Sequence, residues 1–174
     1  MLRVWFLVAL VVGSLQGLEV VFEKIEQLSG FDIYDSTLRV RKYNRTTTTL
    51  NGTFTLLTPV DNSYIVSTDL YHSSRGNQQF NHYPMKLPTK RLCDFLEGIY
   101  DEYYEYIADI VNLPEKGECP IMPRAGHILN KVFPTKAVPK FAPKGLWKVF
   151  VIQALEDVEV SRFELILKVH NDLF

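Results

Sequence analysis

The chain has 174 residues, with 19 Lys+Arg against 20 Asp+Glu and a formal charge of −1. That balance, without any basic stripe, argues against nucleic acid as a partner. The aromatic content is high (eleven Phe, nine Tyr and two Trp) and suits either a thick sandwich core or a hydrophobic pocket.

The first seventeen residues read as a secretory leader. Arg3 supplies a positive charge, Val4 to Val12 is apolar, and Gly13-Ser14-Leu15-Gln16-Gly17 ends the run in mostly small or polar residues. The segment is too short to span a bilayer, so the mature protein, residues 18–174, is expected to be extracellular. About 157 residues then remain, enough for one domain that buries roughly 70% of its unfolded surface. No repeat and no second long apolar run follows.

Leu18 to Ile25 reads as a first strand. Ser36 to Arg45 alternates Leu38 and Val40 with Arg39 and Arg41, and the β-branched run Thr46 to Thr49 extends it. Asn51-Gly52 is a strong hairpin signal, predicting that Thr53 to Leu57 folds straight back with Phe54 and Leu56 inward. Asn44-Arg45-Thr46 and Asn51-Gly52-Thr53 are both N-x-T sequons, so Asn44 and Asn51 are expected at the surface and glycosylated. After a turn at Pro59 to Ser63, Tyr64, Val66, Thr68 and Leu70 alternate with Ile65, Ser67, Asp69 and Tyr71. Ser73 to Asn77 turns the chain again, and Gln78 to Met85 reads as a strand. The four strands from Ser36 to Met85, with turns about every ten residues, indicate an antiparallel sandwich or barrel.

The period then changes. From Thr89 to Val111, Leu92, Phe95, Leu96, Ile99, Tyr103, Tyr106, Ile107 and Ile110 recur at helical spacing, while Asp94, Glu97, Asp101, Glu102, Glu105 and Asp109 take the other faces. Thr89 is the expected cap and Leu113-Pro114 lies beyond the end. Tyr103 and Tyr106 read as core; Tyr100 and Tyr104 fall off the apolar face and mark a surface for binding. Two cysteines in an oxidising compartment pair, so Cys93, in the first helical turn, is expected to bridge to Cys119 in the following loop. His127 to Phe133 reads as a strand and Pro134 to Pro143 as an extended edge segment. Leu146 to Ala154 is apolar on both faces, which predicts that the helix covers its outer side. Val158 to Val169 is the last strand, with Phe163, Leu165, Leu167 and Val169 on one face.

Chemistry-bearing motifs are scarce. The mature chain has no G-x-S-x-G, H-E-x-x-H, phosphate loop, G-x-G-x-x-G or C-x-x-C. His72, His82, His127 and His170 are scattered, and the helix acids lack the order of a calcium loop. No enzyme activity, cofactor or metal is expected.

Several ordered segments resemble a known family. They are Arg41-Lys42-Tyr43-Asn44-Arg45-Thr46, Leu50-Asn51-Gly52-Thr53, Asn81-His82-Tyr83-Pro84-Met85, Lys90-Arg91-Leu92-Cys93-Asp94-Phe95-Leu96, Cys119-Pro120, and Val138-Pro139 through Pro143-Lys144-Gly145-Leu146-Trp147-Lys148. The chain is similar, from about Arg39 to Val169, to a group of small secreted insect proteins that includes the CheB chemosensory proteins. That group stands beside the ML lipid-recognition fold. The resemblance implies ML type for the mainly β, antiparallel, immunoglobulin-like sandwich, to which the helical spacing adds one long amphipathic helix packed on a face. It also implies a carrier or presenter of a lipid, sterol or hydrocarbon pheromone. Typical ML carriers have more cysteines and little or no long helix.

Two functions follow as expectations. A carrier would hold a small apolar ligand between splayed layers, lined by Phe54, Leu56, Val66, Leu70, Phe80, Phe95, Ile99, Trp147, Val149, Phe163 and Leu165. An accessory protein without a small ligand would instead act on an extracellular receptor or channel through the helix or the hairpin loops.

Overall fold

The computed structural model describes residues 17–171, so the expected leader, apart from Gly17, lies outside the described residues. In chain order the elements are β1 (Leu18–Ser29), β2 (Tyr34–Ser36), β3 (Arg39–Lys42), β4 (Thr48–Leu56), β5 (Tyr64–Ser73), β6 (Asn81–His82), β7 (Lys90–Arg91), α1 (Leu92–Ile107), β8 (Arg124–Lys131), β9 (Gly145–Leu155) and β10 (Val158–Asn171). They form an antiparallel β-sandwich with one helix. One sheet runs β1-β10-β9-β5, and β6 and β7 pair with opposite ends of β5. The other centres on β4. β2 and β3 pair with successive parts of it, and β8 pairs with it as well.

The longest pairings follow the alternation of the sequence. Along β5, Val66, Thr68 and Leu70 are buried and their neighbours half-buried. β9 and β10 pair from Val158↔Leu155 to Val169↔Gly145, and Glu156 and Asp157 turn the hairpin in left-handed conformation at φ 51° and 63°. Two such residues match the twist of a two-residue hairpin. Leu70, Val149 and Leu165 stand in one row across the middle of this sheet. The two sheets are also joined by the Thr48 hydroxyl, which donates to the Phe22 carbonyl at 2.6 Å.

The structure corrects several local expectations. Asn51-Gly52 is not a turn, because β4 runs straight through it. The hairpin is one step earlier, between β3 and β4, where the Asn44 side chain accepts from the Thr46 and Thr47 amides at 2.9 and 2.7 Å. That local bonding is what asparagine contributes to a turn, and it splits the threonine run. Gly52 instead sits at a register shift against β8, with φ 137°. A Cβ there would lie 2.6 Å from the Thr37 carbonyl oxygen, so glycine permits the close approach of two backbones.

Of Gln78 to Met85, only Asn81–His82 is strand. Thr89 does not cap the helix: Lys90–Arg91 pair with β5, and α1 starts directly from them. It ends at Ile107 rather than Val111, because Val111 bridges to His127 of β8 through a 3.2 Å backbone bond. The proline-rich segment does meet the edge of β1, where the Thr135 hydroxyl accepts from the Val20 amide at 3.1 Å. It is turned rather than extended, with a 3-10 turn at Thr135–Ala137.

The helix does not cover the outer side of β9. Its one buried residue is Leu92, and it meets the body of the protein through β5 and β7. The outer side of β9 is dressed by long side chains. Lys148 lies 4.4 Å from the Phe80 ring centre and Arg162 lies 5.2 Å from that of Phe150. Their aliphatic stems shield apolar surface while the charges reach water.

Candidate functional site

The interior divides into two clusters. At one end Val20, Phe22, Leu50, Trp147, Leu167 and Val169 are buried together. Here Trp147 packs against Tyr83 and His72, with ring centres 4.6 and 4.7 Å away, and its indole N–H donates to the Pro143 carbonyl at 2.8 Å. Phe22 and Phe133 meet edge to face at 5.2 Å. Interlocked aromatics of this kind leave no room for a guest.

At the other end Ile33, Leu56, Val60, Val66, Leu92 and Ile121 are buried, with Phe95, Leu96 and Val151 packed against them. These are mostly aliphatic side chains, and the roof is the first turns of α1 rather than a strand. A pocket of about 210 Å³ remains between the sheets and the helix. Its wall is almost wholly apolar.

The roof is held at three points. Cys93 and Cys119 form a disulfide, with Cα atoms 6.1 Å apart. Asn62, in the turn before β5, accepts from the Cys93 amide at 2.9 Å and donates to Asp94 at 3.2 Å. It thus caps the helix from outside, in the role expected of Thr89. In the returning loop Ile121 pairs with Val60 through two backbone bonds, of 2.8 and 3.1 Å, which brings Ile121 into the pocket wall.

The few polar groups at the wall all have partners. Gln153, 9% exposed, accepts from the Tyr34 hydroxyl at 2.9 Å and from the Ser161 hydroxyl at 3.2 Å. Burial raises the Tyr34 pKa, and the bond to Gln153 offsets only part of that rise. The phenol therefore stays neutral. Arg124 forms an ion pair with Glu118 and donates to the Leu113 carbonyl at 3.4 Å. No charge at the wall is left for an ionised head group, so the chamber suits an uncharged apolar guest.

The eleven residues expected to line a pocket are distributed between these regions. Phe54, Leu56, Val66 and Phe95 do meet at the pocket wall. Trp147 belongs to the aromatic end, and Leu165 packs against it from the middle row. Leu70 is buried and Val149 half-buried in the middle row. Phe163 stacks edge to face on Tyr34 at 5.8 Å, beside the pocket. Ile99 is half-buried on α1 away from the wall, and Phe80 lies under Lys148 on the outer face. Sequence reasoning missed Tyr34, Val60, Leu92, Ile121, Val151 and Gln153. Val151 and Gln153 continue the Trp147-Val149 alternation and could have been found that way. Ile121 and Val60 carry no periodic signal of their own.

The helix aromatics also differ from expectation. Tyr103 and Tyr106 are only half-buried, with ring centres 6.5 Å apart, and are not core. Tyr104 is 59% exposed, while the Tyr100 hydroxyl bonds to the Pro114 carbonyl. The two sequons are unlike. Asn44 is exposed in its turn. Asn51 is half-buried in mid-strand, donating to Thr49 at 2.9 Å and accepting from the Asn130 amide at 2.8 Å.

Residues 66–149 match the model of a family described as a protein of unknown function, DUF1091. The matched stretch runs from β5 through the disulfide-tied helix and β8 into β9. No curated protein matches the chain.

Proposed function

We propose that this chain is a secreted glycoprotein that holds a small, uncharged, apolar ligand in the pocket beneath α1 and carries or presents it outside the cell. The observation that carries the reading is the pocket itself: about 210 Å³, apolar-walled, and roofed by a helix rather than filled by a strand. The leader, the exposed Asn44 sequon and the resemblance to chemosensory and ML-type lipid-binding proteins support the same reading.

The volume narrows the ligand. Cavities of about 150 Å³ accept benzene-sized guests, whereas drug-sized pockets run from roughly 300 Å³ upward. A short hydrocarbon or the apolar end of a pheromone fits; a sterol requires α1 to move outward. The paired state of Gln153, Tyr34 and Arg124 disfavours a free fatty acid.

The test is native mass spectrometry of the protein secreted from insect cells, followed by organic extraction. A stoichiometric co-purified neutral hydrocarbon or lipid is the expected result. A clean apo mass, unchanged on challenge with short hydrocarbons, fatty acids and sterols, overturns the carrier reading.

One observation favours a second reading, an accessory protein acting on an extracellular receptor or channel. The far half of α1 and the loop after it frame an open groove of about 690 Å³ bordered by Tyr100, Tyr104, Ile107 and Ile110, with Asp101 and Lys116 paired at its edge. Exposed aromatics beside such a groove suit a protein partner. No helix among the described residues is long and apolar enough to cross a bilayer.

A further inference from the structure

The end of the sandwich away from α1 carries a surface of different character. Two grooves meet there and share Lys144 and Asn171. The first, about 620 Å³, runs beside the start of β1 and is bordered by Lys42, Arg45, Lys144 and Lys168. The second, about 600 Å³, lies under the proline-rich segment and is bordered by Lys136, Lys140 and Lys144.

All six cations are exposed, and none lies within ion-pair distance of a carboxylate among the described residues. Glu23 and His170 also border the first groove, and Glu19 faces His170 at 3.8 Å. In a chain of net charge −1 such a cluster is a local segregation, since the acids of α1 gather at the opposite end. Six like charges held together repel unless an anion joins them.

Charge alone would suit any polyanion, but the same end also presents its aromatics. Phe141 is 82% exposed and borders the second groove between Pro139 and Pro143; Tyr43, between Lys42 and Asn44 at the first groove, is 66% exposed. The Ala142 amide bonds back to the Pro139 carbonyl at 2.9 Å, so the loop that projects Phe141 is already formed. A soluble polyanion gains little from an exposed phenyl ring. A bilayer offers both a headgroup layer for the cations and an apolar layer for the ring.

We propose that this end of the sandwich docks on anionic lipid bilayers, with Phe141 entering the interface and the six cations on the headgroups. The inference is independent of what the pocket holds.

The experiment is co-sedimentation of the secreted protein with vesicles of phosphatidylcholine alone and of phosphatidylcholine with 30 mol% phosphatidylserine, at low and high salt. Binding is expected to the anionic vesicles only and to fall as salt rises. Lys140→Ala and Lys144→Ala should each weaken partition about fivefold, and Phe141→Ser about tenfold or more. Phe31→Ser, at another exposed phenylalanine near the helix end (63% exposed), should leave partition unchanged. All four positions are exposed or at loop surfaces, and circular dichroism checks that each variant folds. Equal binding to neutral vesicles, or full binding by Phe141→Ser, overturns the proposal. So does retention on soluble heparin without vesicle binding, which would assign the grooves to a soluble polyanion. Because Asn44 borders the first groove, the protein is assayed as secreted and after glycosidase; binding confined to the trimmed protein overturns the proposal for the secreted form.

Discussion

The two ends of this sandwich are built on the same strands and finished differently. Around Trp147 the space between the sheets is filled by rings from β1, β9, the segment after β6 and the segment after β8. Around Val66 the strands carry valine, isoleucine and leucine, the inward positions of β9 and β10 become Gln153 and Ser161, and a disulfide-tied helix closes the top. The difference teaches that a strand pattern fixes which face is buried, while side-chain volume decides whether the buried space is filled. The ends also diverge in charge: the pocket lies beneath an acidic helix, the solid core beneath a basic rim.

The strongest way to break the comparison is to hollow out the solid end. Trp147→Ala should cost about 3–5 kcal/mol, because it removes the residue on which Tyr83 and His72 pack. Chemical denaturation measures it. A loss below about 1 kcal/mol would mean that this end is as loosely packed as the other, and the contrast would fail.

Next in size is the clasp on the open end. Replacing Cys93 and Cys119 together by serine should cost about 3–4 kcal/mol, since the bridge closes a sequence separation of 26. Hydrogen exchange should show the loss concentrated in α1 and the loop to β8, with β1 and the far end of β10 still protected. Uniform loss of protection would show that the two ends open as one unit.

These elements were not equally legible in the sequence. The alternation of β5, β9 and β10 and the helical spacing after Lys90 were plain, because long periodic segments integrate many weak signals. The disulfide was legible from the compartment that the leader implies. The Asn51-Gly52 hairpin failed because the same dipeptide also serves a bulge, and only the approach of Thr37 distinguishes the two uses. The helix terminus failed because Val111 is claimed by a strand sixteen residues further along. The pocket was half-legible: Phe54, Leu56, Val66 and Phe95 were on the expected wall, but volume is a property of the assembled layers. Nothing local separates Val66 beside a void from Leu70 in a packed row.

A smaller effect on stability, and a larger one on binding, is expected from making the ends alike. Val151→Phe places a ring into the pocket opposite α1. The added side chain replaces empty space, so stability should change by no more than about 1–2 kcal/mol in either direction. Uptake of a short hydrocarbon, followed by native mass spectrometry or by displacement of a fluorescent apolar probe, should fall at least tenfold. Uptake that survives would locate the ligand elsewhere and leave the pocket as a packing defect.

The smallest effect belongs to a group that serves both ends. Glu164, opposite Phe150 in mid-sheet, is 7% exposed and accepts from Lys24 at 2.8 Å, with Lys148 at 3.5 Å. Burial pushes its pKa up; the hydrogen bond from Lys24 and the charges of Lys148 and Lys24 outweigh that, and its pKa settles below the ordinary glutamate value. A carboxyl whose folded pKa is depressed stabilises the fold fully above its unfolded value, about 4.3, and that contribution is lost as pH falls through the folded value. The folded protein should therefore lose stability with acid below about pH 4, and Glu164→Gln should flatten part of that slope while costing about 1 kcal/mol at neutral pH. Because Glu164 lies between the two ends, its loss should lower protection in both alike, unlike the Trp147 and disulfide variants. Denaturation curves at pH 3.5 and 7, with exchange measured at both ends, decide it. A variant that weakens only the helix end would show that Lys24 and Lys148 hold the roof and not the sheet.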